Sequence, residues 1–306
     1  MRNKAFRKLS FVNASGNQVL IFDETINNRW ELGGRWGFTA PQVTPIKETY
    51  ANGVTKVLKR VVEPRSCGVN VIAVGKTEEQ LDDDFGEMLE ILMDVSNGVI
   101  GKLYVTRSDG SEVYLNCMYI SGADVAKDYR RFRNFKLEFY AADPYFYRDL
   151  DDVFINVPLS ARLTLHDGLY LSNDLTKVHV LGENTGTGTG AILNNGSDLI
   201  QPIMRISRVK GDLSVTNKQT GDKIEFDDIL IPRGDTLVID TRDSDKNIYI
   251  EHEDGTISPA GQFLNWGNIE FDFSLTPGEN IIEFVTGSRS TTDGMTFKMS
   301  ERYLSA

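Results

Sequence analysis

The sequence predicts a mainly β protein with one helix: an α+β region followed by an all-β sandwich or jelly roll. Three observations carry this. Short alternating or β-branched runs, punctuated by Gly, Asn, Asp and Pro, recur along most of the chain. Only the stretch after Thr77 has helical spacing. Charge changes character near Asp149: of 33 Lys+Arg and 44 Asp+Glu, residues 1–150 hold 20 of each, leaving 13 and 24 for the remainder, and with them the whole net charge of −11. A chain of 306 residues favours two domains over one. We divide it into a first domain at 1–150, a connecting segment at 151–190 and a second domain at 191–306.

The first region opens with FRKLSFVNASGNQVLIF, two alternating runs about Ser15-Gly16-Asn17 that read as a hairpin. Gly33-Gly34 and Gly37 then interrupt a stretch carrying Trp30, Trp36 and Phe38, which suits a loop or arm. β-branched residues on both sides of Asn52-Gly53 predict a second hairpin, continued by SCGVNVIAVGK. From Glu78, Leu81, Phe85, Met88, Leu89 and Leu92 form one helical stripe. Thr77 with Gln80 has capping-box spacing, Glu78 and Glu79 complement the N-terminal dipole, and Asn97-Gly98 offers a stop. A hairpin about Asp109-Gly110 follows, then the aromatic strand FRNFKLEFYAADPYFY, closed by Asp143-Pro144.

Between 151 and 190 the pattern weakens. The run Thr185-Gly186-Thr187-Gly188-Thr189-Gly190 reads as a flexible linker or exposed loop tip. Its GxGxG spacing neither follows a clear strand nor opens a helix, so it does not read as a phosphate-binding turn. From Asn194 onward, strands alternate with turns at Gly211, Gly221, Gly234, Gly255 and Gly278, as in a sandwich or jelly roll.

The sequence singles out no catalytic, cofactor-binding or metal-binding residue, and it leaves binding residues open. Cys67 and Cys117 lie in apolar strand contexts with no CxxC neighbour, which predicts buried reduced thiols rather than a disulfide or zinc site. His166, His179 and His252 are scattered; in Glu251-His252-Glu253, neighbours on a strand point to opposite faces, so solvated edge-strand charges are expected. Asp82-Asp83-Asp84 sits in the first turns of the helix, and Asp240 and Asp243 flank a turn, where Asp bonds local backbone. Trp30 and Trp36 suit interface contacts, while Trp266 is open between core and surface. No apolar run of roughly 18 residues is present to span a bilayer, and the basic N-terminus meets polar residues before a signal-peptide core develops, so cytoplasmic synthesis is expected. The acidic half disfavours stable DNA binding and also serves solubility.

The order of these parts resembles the distal tail protein family of long-tailed phages. The opening FVNASGNQVLIF is similar to the family's first hairpin, and FRNFKLEFYAADPYFY to the end of its first domain with its Asp143-Pro144-Tyr145 turn. NNGSDLIQPIMRI, NKQTGDKIEF, GDTLVIDT and FDFSLTPGENIIEF follow the succession of its second domain. The resemblance covers nearly the whole chain except 155–190. It implies a ring-forming N-terminal α+β domain, a hexamer with a channel through which DNA passes, and a galectin-like second domain. It also implies the tail tube and the tail-tip or receptor-binding proteins as partners and a place in the virion tail of a siphovirus, and it supplies no catalytic residues. The absence of catalytic and cofactor motifs from the sequence itself predicts no enzyme and no cofactor. A carbohydrate-binding adhesin is the competing reading, since a lectin-like fold does not itself imply sugar binding.

Overall fold

The computed structural model describes residues 6–24, 30–50, 55–75, 77–93, 100–129, 132–155, 187–207, 209–265, 272–286 and 295–306. It divides into two compact units, Met1–Arg148 with Arg302–Ala306, and Asp149–Glu301. The protein is mainly β, with one α-helix among the described residues.

In the first unit, β1 (Phe6–Val12) and β2 (Gln18–Asp23) form the predicted opening hairpin, closed where Gly16 N–H donates to Asn13 O and Asn17 N–H to Asn13 Oδ1. Four further elements follow: β3 (Trp30–Trp36), β4 (Val43–Thr49), β5 (Thr55–Val62) and β6 (Arg65–Val74). Helix α1 (Glu78–Leu92) starts at Thr77, whose hydroxyl accepts from Gln80 N–H at 3.1 Å, as the capping spacing predicts. It ends at Met93, before the expected stop at Asn97-Gly98, which lies outside the described residues. The hairpin of β7 (Gly101–Arg107) and β8 (Glu112–Tyr129) turns at Asp109-Gly110, and β9 (Phe132–Ala141) is the aromatic strand.

The sheet runs β2-β1-β7-β8-β9-β6-β3. Strand β8 divides its length between partners: its first half pairs with β7, and Met118 onward pairs with β9. Within the part paired with β9 the register is irregular between Tyr119 and Lys127, and such bulges bend a strand. At that bend Gly122 has φ +113, and a β-carbon there would collide with the Lys136 carbonyl, so only glycine fits. The two halves of the sheet share one core. Leu9, Phe11, Leu103 and Leu115 come from one half, Val69, Phe135, Leu137 and Phe139 from the other. Phe11 and Phe139 meet at 5.5 Å between ring centroids. Each such fully buried side chain stabilises by about 1.5–3 kcal/mol. Helix α1 joins this core through Leu81, Met88 and Leu92, with Phe85 edge-on to Phe135.

Strand β10 (Phe146–Asp149) pairs with β8, and β21 (Ser300–Tyr303), whose end from Arg302 belongs to this unit, lies beside β10. Buried Arg65 anchors this return. It donates to Gly37 O at 3.0 Å and Leu304 O at 2.8 Å and lies over the Phe146 ring.

The second unit holds two antiparallel sheets. One contains β11 (Val153–Ile155), β13 (Ile203–Ser207), β16 (Thr236–Asp240), β17 (Asn247–Glu251), β18 (Ile257–Pro259) and β20 (Met295–Lys298). The other contains β12 (Thr187–Asn194), β14 (Lys210–Asn217), β15 (Lys223–Leu230) and β19 (Gly278–Thr286). Their orders are β11-β20-β13-β16-β17-β18 and β12-β19-β14-β15. Met204, Ile206, Leu237 and Phe297 from the first sheet share one core with Leu213, Phe226, Ile282 and Phe284 from the second, which makes a sandwich.

Two expectations need correction. The described part of the TGTGTG run, Thr187–Gly190, is strand and not flexible linker: it opens β12 and pairs with Glu283 to Val285 and Ile282 of β19. Gly190 sits there because a β-carbon would meet Ile155. Gly211 lies at a bulge inside β14, not in a turn between strands.

The turn motifs at one end of the sandwich are held by buried amides. Asn280 Oδ1 accepts from Thr276 N–H at 2.9 Å and from Asn217 Nδ2 at 3.2 Å, while its own Nδ2 donates to Thr276 O and Gly278 O. Asn194 Nδ2 donates to Leu275 O, and buried Glu301 accepts from Asn195 N–H. The LTPGEN and NNG segments are therefore turns clamped by the buried amides of Asn194 and Asn280.

Candidate functional site

The polar residues singled out from sequence are dispersed and engaged in structure. His166, His179 and Trp266 lie outside the described residues. His252, expected as a solvated charge, is instead held between Asp235, 2.8 Å from Nδ1, and Ser258, 2.9 Å from Nε2. Its neighbour Glu251 pairs with Arg205 at 2.5 Å, so Glu251 and His252 turn to different partners. The Asp–His–Ser connectivity has the order of a nucleophilic triad. Ser258, however, faces Ile250 across the β17–β18 ladder, between the bonds from Ala260 N–H to Ile248 O and from His252 N–H to Thr256 O. The trio ties this edge hairpin to the turn before β16.

Asp240 accepts from Arg242 through Nε and Nη2, and from its backbone N–H, the local use expected at that turn. Asp82 pairs with Arg133. Cys67 and Cys117 are both buried and free. Burial pushes the Cys67 thiol up to about 12, with Arg65 opposing and Glu138 adding to it. Cys117 is raised for the same reason. Trp36, expected at an interface, lies half-buried on the outer face of its own sheet, with Lys136 Nζ 4.3 Å from its ring centroid.

What the structure adds is a set of surfaces in the first unit. The hairpin β4–β5 forms a two-stranded sheet of its own, and every residue of β4 is exposed. It displays Val43, Ile46, Tyr50, Val57, Leu58 and Val61 to solvent, Leu58 at 54% exposure. On the outer face of β7, β8 and β10, Tyr104 meets Tyr114 at a tilt, 5.6 Å between ring centroids, and Tyr114 stacks on Tyr147 at 5.8 Å. Lys102 lies over Tyr114, and Arg302 over Tyr145. Tyr147 donates to Asp143, and burial followed by this bond pushes its phenol up to about 12. The alternation Lys102-Leu103-Tyr104 and Val113-Tyr114-Leu115 signals this aromatic face in sequence. Exposure of the β4–β5 hairpin has no such signal, because apolar β-branched residues read alike in a core strand and in an arm.

The first unit is thus a β-sheet that carries α1 and displays the β4–β5 hairpin, and the second is an antiparallel sandwich. No family model matches the sequence, and no curated protein matches it at a significant level. Among solved structures, the chain is similar to the crystal structure of the Dit protein of phage SPP1, described as a paradigm of the hub adsorption apparatus in phages infecting Gram-positive bacteria. The two share 14% identity at a TM-score of 0.59, over 96% of this chain and 98% of that one. It is also similar to a chain of the phage P2 baseplate in its activated, calcium-containing conformation, at 14% identity and a TM-score of 0.51, again over 96% and 98%. The fold is that of the phage distal tail (Dit) proteins, as the sequence resemblance implied.

Proposed function

We propose that this chain is a structural hub of a long non-contractile phage tail. In this reading it forms a hexameric ring at the distal tip, joins the tail tube to tip or receptor-binding proteins, and lets DNA pass through its channel. The observation that carries it is the end-to-end correspondence with the SPP1 Dit structure, over 96% of this chain. The first unit is the ring-forming part, and the second, a galectin-like sandwich, projects from it. The protein is not an enzyme and uses no cofactor; it is assembled in the host cytoplasm and resides in the virion tail. Ring closure requires a heterologous contact in which two different surfaces of one copy meet those of its neighbours.

The test is the mass of the full chain in solution by native mass spectrometry, alone and with a cognate tail tube protein. A six-copy species is expected. A strict monomer at high concentration under both conditions sinks the ring. No observation favours the adhesin; specific retention of the chain on a glycan array would revive it.

A further inference from the structure

We propose that the β4–β5 hairpin is a docking arm that seats on the acidic outer face of helix α1 of a second copy of this chain. The proposal rests on the ring reading and names the surfaces that would close the ring.

The hairpin cannot account for itself. A lone two-stranded hairpin is marginal in water, and its two edges are open to pairing. This one presents Val43, Ile46, Val57, Leu58 and Val61 to solvent, and among the described residues it pairs with no other sheet. A covering partner removes that apolar surface from water.

Charge says which partner. Residues 43–62 carry Lys47, Lys56, Lys59 and Arg60 against Glu48 alone. Glu48 faces Lys56 across the strands, so the arm keeps a basic excess. Helix α1 is the opposite extreme, with Glu78, Glu79, Asp82, Asp83, Asp84, Glu87 and Glu90 and no basic residue. Glu79, Asp83, Glu87 and Glu90 recur at spacings of four, four and three, forming one exposed stripe. That stripe lies opposite Leu81, Met88 and Leu92, which enter the core. Arg133 answers Asp82, but among the described residues no ion pair answers the four carboxylates of the stripe. Like charges four apart on a helix repel, a strain that a cationic partner relieves.

Residues 1–150 are neutral overall, with 20 charges of each sign. The basic arm and the acidic helix are therefore local excesses that balance each other. Met between copies, they form a head-to-tail contact that leaves each copy with one arm given and one received.

The experiment uses the full chain in two charge-reversed forms. One carries Lys47→Glu and Lys56→Glu in the arm; the other carries Glu79→Lys, Asp83→Lys and Glu87→Lys on the helix. All five positions are exposed, and circular dichroism checks that each form folds. Native mass spectrometry is expected to show assembly weakened about tenfold or more in each form alone. Mixing the two should restore it, because each arm then meets a helix of opposite sign, and rings alternate the two forms. An oligomer that survives in both single forms overturns the arm contact and leaves the ring reading standing. Loss in both with no rescue on mixing overturns the helix as acceptor. A wild-type chain that is monomeric throughout overturns both readings.

Discussion

Trp36 packs against Gly68: a β-carbon at position 68 would collide with Cζ2 of the indole ring and with the Leu137 carbonyl. The two residues face each other across β3 and β6, where Trp36 pairs with Gly68 in register. The ring needs a bare patch of backbone, and Gly68 supplies it. We expect Gly68→Val to displace the ring and cost about 1–3 kcal/mol of stability through overpacking. Urea unfolding measures the loss, and tryptophan emission should shift to the red. An unchanged midpoint and spectrum would refute the contact.

Asn280 is fully buried and joins Thr276, Gly278 and Asn217 in one network. Asn280→Ala removes the bonds that hold the turn and takes from the fully buried Asn217 amide one of its acceptors, at about 1–3 kcal/mol for an unsatisfied group. The expected outcome is a lower unfolding midpoint for the second unit, with the first unit's transition unmoved. A loss below ~0.5 kcal/mol would show the network to be dispensable.

Alkali should weaken the first unit. The Cys67 thiol and Tyr147 phenol are each held up to about 12. Unfolded, such groups ionise near ~8.5 and ~10. Above pH ~9 the unfolded chain therefore releases protons that the folded one retains, and stability falls as pH rises toward about 12. Urea midpoints measured at pH 7, 9 and 10.5 should decline steadily. Cys67→Ala should start lower and decline less steeply; a profile parallel to wild type would exclude the thiol as a cause.

His252 ties Asp235 to Ser258, and its removal should loosen the β17–β18 edge by about 1 kcal/mol. Hydrogen exchange at Ile257 and Ser258 should quicken in His252→Ala. A fluorophosphonate probe should leave Ser258 unmodified. A covalent adduct there would mean that the trio activates a nucleophile after all.

The local features were legible because their causes are local. The opening hairpin needs only Ser15-Gly16-Asn17, and α1 needs only its stripe and the Thr77 cap. Cys67 and Cys117 announce burial by their apolar neighbours. What stayed hidden depends on residues far apart in the chain. Thr187–Gly190 looks like linker until β19 is beside it, with Thr187 opposite Val285. His252 looks solvated until Asp235 and Ser258 are placed. The close approach of Gly122 to the Lys136 carbonyl in β9 is a contact that no pattern of hydrophobicity records.

The buried guanidinium of Arg65 has a consequence for timing. One of its two carbonyl partners, Gly37, lies early in the chain; the other, Leu304, lies beyond the whole of the second unit. On the ribosome, residues 302–306 emerge only after every strand of the sandwich has been made. Until then the Arg65 guanidinium lacks one of its two carbonyl acceptors. A chain cut short anywhere in the sandwich keeps that defect, so completed molecules differ from unfinished ones in the stability of the first unit, before any copy meets another.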